Sequence, residues 1–166
     1  LDHIVFILGL FFFSTKLRPL VGQVTVFTIA HSVTLVMASL GWITVSSDII
    51  EPLIALSIAW IGFENIFRPK LGISRLTVIF IFGLLHGLGF ASVLGDLGLE
   101  SSAFLLSLLA FNVGVEFGQL SVLGPFLLIS PFFTNRIWYR KVLANPISAL
   151  IGFTGLYWTF ERLGFF

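Results

Sequence analysis

The chain has 166 residues, 57% of them hydrophobic and 10% charged, with a mean hydropathy of +1.07 and a net charge of +1. A soluble domain carries roughly 25% charged residues, so the excess apolar area here has to face lipid. The near-zero charge implies no basic surface for nucleic acid, and the absence of cysteine excludes disulfides, thiolate metal sites and cysteine nucleophiles.

In chain order, apolar segments separated by short polar breaks predict six helices, at 1–15, 22–42, 49–67, 76–95, 102–130 and 142–162. They form an all-α, polytopic membrane bundle within a single transmembrane domain, 1–166. The runs are too long, and lack the period-2 alternation, for a β-barrel. A helix ending at Thr15 rises only ~22 Å at 1.5 Å per residue, short of the ~30 Å hydrocarbon core. The first helix is therefore expected to begin upstream of residue 1. A signal peptide fits this end poorly, because no basic region precedes the apolar run.

Basic residues collect in alternate loops. Lys16 and Arg18 fall in the first, Arg68, Lys70 and Arg75 in the third, and Arg136, Arg140 and Lys141 in the fifth, whereas the second and fourth carry Asp48, Asp96 and Glu100. Such loops face the cytoplasm. The loops at 16–21, 68–75 and 131–141 are thus expected inside a bacterial inner membrane, with both termini outside, an arrangement that suits an exported domain upstream of residue 1.

The polar residues within the spans agree in depth. His31 lies ~13 Å from the inner end of its helix, His86 ~16 Å beyond Arg75, and Asp2 and His3 ~18–20 Å above Thr15. Glu116 stands ~21 Å from either end of the fifth helix. On that helix Asn112, Glu116 and Gln119 follow i, i+4, i+7, and on the second helix Thr28 and Ser32 lie close to His31. Gly83, Gly87 and Gly89, with Gly114 and Gly118, are small residues that let helix backbones approach. A charge facing lipid costs ~2.5–3.5 kcal/mol on the insertion scale, so Glu116 is expected to face the bundle interior. Glu64, nearer the inner boundary, is expected to snorkel or to pair with Arg68. A lone intramembrane His, Asn or Thr usually serves as interhelical glue. Five ionisable residues at one depth on four helices point instead to a shared site.

The segments "LDHIVFILGL", "FTIAHSVTL", "EPLIALSIAWIGFEN", "FGLLHGLGFAS" and "FNVGVEFGQ" resemble, in order and spacing, the HupE/UreJ family of bacterial inner-membrane proteins. The resemblance implies a six-to-seven-helix protein associated with hydrogenase and urease genes and carrying nickel or cobalt. It also implies a metal-binding H-x5-D-H motif, of which Asp2 and His3 match the second half.

Two mechanisms use the same atoms. A divalent transition-metal permease would bind Ni²⁺, Co²⁺ or Zn²⁺ through His3, His31 and His86, since imidazole with carboxylate suits these ions. Asp2 and Glu116 would supply negative charge, while Asn112, Gln119, Ser32 and Thr28 orient the ligands. A zinc-dependent intramembrane hydrolase would instead act on a lipid or membrane peptide, with Glu116 or Asp2 as general base and Ser32 polarising a carbonyl. A non-catalytic accessory subunit, its polar residues only pinning helices, is the third class.

Overall fold

A computed structural model describes residues 1–14, 16–67, 72–96 and 104–166. Six helices follow one another: α1 (Asp2–Phe13), α2 (Leu17–Ser39), α3 (Ser47–Phe67), α4 (Ile73–Asp96), α5 (Phe104–Ile129) and α6 (Asn145–Arg162). A 3₁₀ turn (Ser130–Phe132) and a π-helical turn (Tyr139–Ala144) join the last two, and the described residues include no strand. Three segments, Leu17–Ser39, Ser47–Phe67 and Leu106–Phe132, are long and apolar enough to cross a bilayer, and Asp2–Phe13 and Ile73–Gly89 are shorter apolar helices.

All six expected helices are present, with shifted ends. α2 begins at Leu17 and takes in Arg18 and Pro19, because the first turn of a helix has no intrahelical partner for its N–H groups and so tolerates proline. α4 begins at Ile73, which brings Arg75 out of the expected loop and into the helix. Residues 17–21 and 73–75 are therefore helical, while 68–71 lie outside the described residues.

α1 runs through the middle of the bundle, and Phe6, Ile7, Gly9, Leu10, Phe11, Phe12 and Phe13 are all buried there. Two pairs of helices flank it, each drawn together by glycine. In the α3–α6 pair, a Cβ on Gly62 would fall 2.7 Å from Gly152 Cα, so only glycine allows these backbones to touch. In the α2–α4 pair, a Cβ on Gly83 would lie 2.6 Å from the carbonyl oxygen of Phe27. The Thr34 hydroxyl seals that seam by donating to the Leu84 carbonyl at 2.7 Å. Small residues at close helix crossings are how membrane bundles pack without a hydrophobic drive between helices.

α5 lies against α1 and α2 along one stripe, with Leu108 beside Leu35, Phe126 against Phe11 and Phe12, and Leu123 in the main core. Its outer residues, including Leu106, Val113, Phe117, Leu120 and Leu128, are exposed. Leu53, Leu56 and Trp60 on α3 and Leu150 and Phe153 on α6 likewise point outward. An apolar exterior of this kind is what a lipid-facing surface needs.

Candidate metal centre

The inward faces of α2, α3 and α4 carry the same vertical order, and α1 adds a polar residue at one end only. On α2, Gln23, Phe27 and His31 follow i, i+4, i+8, and all three are buried. On α4, Arg75, Ile79, Phe82 and His86 repeat that sequence of polar, apolar and polar at helical spacing. α1 contributes His3, Phe6, Leu10 and Phe13, and α3 contributes Ser57, Ile61 and the Glu64–Asn65 pair. Side chains at these spacings share a face, so two polar layers form with an aliphatic and aromatic layer between them.

The upper layer holds all three histidines. The His3 ring centroid is 4.9 Å from that of His31 and 4.8 Å from that of His86, at interplanar angles of 84° and 90°. Phe27 closes the floor, its ring centroid 5.9 Å from His3, 6.0 Å from His31 and 5.2 Å from His86. Phe6 stacks on Phe27 at 4.8 Å and packs 4.9 Å from His86. His31 and His86 are almost wholly buried. The convergence expected from depth alone is thus present for the three imidazoles. The rings meet edge to face, the packing favoured between aromatic neighbours. Among the described residues no group of three or more His, Asp or Glu side chains is arranged to hold a metal ion.

Ser57 is placed to set which nitrogen of His86 carries the proton. Its Oγ lies 2.9 Å from His86 Nε2 and 2.6 Å from the Ile54 carbonyl oxygen. When the hydroxyl donates to that carbonyl it accepts from the imidazole, which puts hydrogen on Nε2 and leaves Nδ1 a bare lone pair. Nδ1 is buried and has no hydrogen-bond partner among the described residues. This is the tautomer a metal-ligating histidine adopts, one nitrogen held by a neighbouring oxygen and the other presented to the ion.

A cavity of about 410 Å³ reaches this layer from the end of the bundle that carries Leu1 and Arg162. Asp2, His3, Glu51, His86, Glu161 and Arg162 are among its lining residues. Asp2 does not turn freely toward the histidines, because its carboxylate pairs with the Arg162 guanidinium at 2.9 Å. Arg162 also donates to the Glu51 carbonyl at 3.0 Å, which ties α6 to α3 at the cavity mouth.

The remaining expected residues are more dispersed. Ser32 Oγ donates to Asn112 Oδ1 at 3.1 Å, joining α2 to α5. Thr28 is half-buried on α2, and Gln119 is buried on α5. Glu116, expected to face the interior, is exposed instead. At about 100° per residue, Gln119 comes within ~20° of the Leu108–Phe126 stripe, whereas Glu116 rotates ~80° away from it. Gly114 and Gly118 also differ from expectation, since among the described residues no atom beyond their own helix backbone lies within 4 Å of where their Cβ atoms would be.

The lower polar layer centres on Arg75, which is 1% exposed. Its Nη1 donates to Glu64 Oε2 at 2.6 Å, its Nε to Gln23 Oε1 at 2.9 Å and its second terminal nitrogen to Asn65 Oδ1 at 3.0 Å. The Phe13 ring lies 3.6 Å from the guanidinium carbon. Glu64 thus pairs with Arg75; Arg68, the partner expected for it, lies outside the described residues. Sequence reading overlooked Ser57, Arg75 and Arg162 as site residues. The eleven-residue interval from Arg75 to His86, about three turns, was the available signal that the two share a face.

No curated protein and no solved structure matches the chain. The family model for HupE / UreJ proteins matches residues 1–162, so nearly every residue described above falls within the match. Apolar helices, an apolar exterior and that match together make this chain a multi-pass membrane protein belonging to the HupE/UreJ family.

Proposed function

We propose that this protein is a divalent transition-metal permease of the nickel or cobalt type, whose cargo passes through the His3–His31–His86 cluster. The observation that carries the proposal is the meeting of three imidazoles, with Nδ1 of His86 buried and without a hydrogen-bond partner among the described residues, in a layer that a carboxylate-lined cavity reaches. Nitrogen donors with nearby carboxylates suit Ni²⁺, Co²⁺ and Zn²⁺. The edge-to-face rings leave the cluster short of a closed cage, as exchangeable cargo requires. Asp2 would meet the ion at the mouth once it parts from Arg162, and Asp2, Glu51 and Glu161 would draw cations toward it. With Lys16, Arg18, Arg136, Arg140 and Lys141 in the cytoplasm, the cavity opens outward and accepts ions from outside the cell.

A zinc-dependent hydrolase would use Ser32 to polarise a carbonyl, yet that hydroxyl donates to Asn112 Oδ1, and Glu116, one of its two general-base candidates, is exposed away from the histidines. Metal uptake tests the proposal. Proteoliposomes holding the folded protein and an imposed gradient are expected to accumulate radioactive Ni²⁺ above empty vesicles, and His86→Ala to abolish the excess. Uptake at the level of empty vesicles, with Ni²⁺, Co²⁺ and Zn²⁺ each supplied, overturns it.

A further inference from the structure

Among the described residues, the cavity reaches the histidine layer from the end that carries Leu1 and Arg162. Beyond it, toward the opposite end, come Phe6, Phe27, Leu10, Ile61 and Ile79, all essentially inaccessible, and then the Arg75 layer. That layer joins α1, α2, α3, α4 and α6. Besides its bonds to Gln23, Glu64 and Asn65, it includes Asn65 Nδ2 donating to the Gly9 carbonyl of α1 at 2.8 Å and to Ser148 Oγ of α6 at 3.2 Å. From the loop before α6, Arg140 donates to the Asn65 carbonyl at 2.7 Å.

We propose that the Arg75 cluster is the closed gate between the histidine layer and the loop end of the bundle, with the guanidinium acting as a tethered cation that holds the gate shut. The proposal rests on the permease reading of the upper layer. Three acceptor oxygens, from one carboxylate and two amides, point at a cation that covalently belongs to the chain. A positive group buried across the path repels an arriving divalent ion for as long as it stays. Opening the path parts these bonds, withdraws Arg75 and frees Glu64, which then offers a carboxylate to the cargo leaving the histidines. The gate is local to the lower layer, since Arg75 stands three turns from His86, about 16 Å along α4.

The absence of native cysteine allows a direct test by thiol accessibility. Ile79→Cys places a reporter in the buried layer one turn from Arg75, and Ile137→Cys, on a loop residue that is 99% exposed, marks the loop side in vesicles of known orientation. With Ile79→Cys alone, a membrane-impermeant maleimide is expected to react slowly from both sides. Adding Glu64→Gln is expected to raise the rate at least tenfold from the side where Ile137→Cys reacts, and to leave the other side unchanged. Should Glu64→Gln fail to give monodisperse protein, Gln23→Leu removes one acceptor, keeps the ion pair and is read by the same criterion. An unchanged rate, or an equal rise from both sides, overturns the gate. The measurement needs no metal, so a one-sided rise together with absent Ni²⁺ uptake would retain the gate and refute the cargo.

Discussion

At the scale of single residues, the site depends on which atoms hold protons. Ser57 is no candidate ligand, yet its hydroxyl lies 2.9 Å from His86 Nε2, where it bears on the nitrogen that the ring can offer. Partners of this kind typically alter metal affinity 10–100-fold when removed. Ser57→Ala is accordingly expected to weaken Ni²⁺ binding by about ten- to a hundredfold, measured by competition against a chelating dye, while Ser57→Thr, which keeps the hydroxyl, restores most of it. Equal affinity in Ser57→Ala and the unaltered protein would show that the hydroxyl has no part in presenting Nδ1. The histidines themselves were legible in the sequence because an ionisable ring within an apolar run carries an energetic penalty that packing alone does not explain. Ser57 was not, since a serine in a membrane helix can satisfy itself on its own backbone. Glu116 was misplaced for a geometric reason: three residues at i, i+4, i+7 share a broad face, and its outer edge can still clear the neighbouring helix.

At the scale of helices, glycines that look alike in sequence have opposite settings. Gly62 presses on the backbone of α6, and among the described residues Gly114 meets nothing beyond its own helix backbone within 4 Å. Gly62→Ala is expected to lower stability in detergent by about 1–3 kcal/mol, since backbone cannot yield to the added methyl as a side chain would. Gly114→Ala is expected to change it by less than about 1 kcal/mol. Thermal unfolding of the two variants side by side decides the matter, and a similar loss in both would mean that α5 is also packed through its glycines. Small-xxx-small spacing shows that close approach is permitted, not that a partner is present. Helix number and order were readable because each apolar run is long. The starts of α2 and α4 were not, because a charged residue was taken to end a helix. Arg75 instead enters the bundle paired with Glu64, so its burial leaves no unmatched charge.

For the molecule as a whole, the basic residues of the first and last loops lie at the end opposite the cavity, where Lys16, Arg136 and Arg140 line one pocket. The positive-inside bias then predicts that Ile137→Cys reacts with impermeant reagents only in inside-out vesicles. Reaction in right-side-out vesicles would reverse the direction in which the cavity opens. The layered arrangement also has a mechanical consequence. α2 with α4, and α3 with α6, are zipped units that resist internal sliding, and α1 runs between them like a rod. One end of the rod carries His3, in contact with both other imidazoles. The other end carries Gly9 and Phe13, which brace Asn65 and Arg75. Tilting this short helix to widen one storey drives its far end harder into the other, so a passage open at both ends at once is mechanically disfavoured.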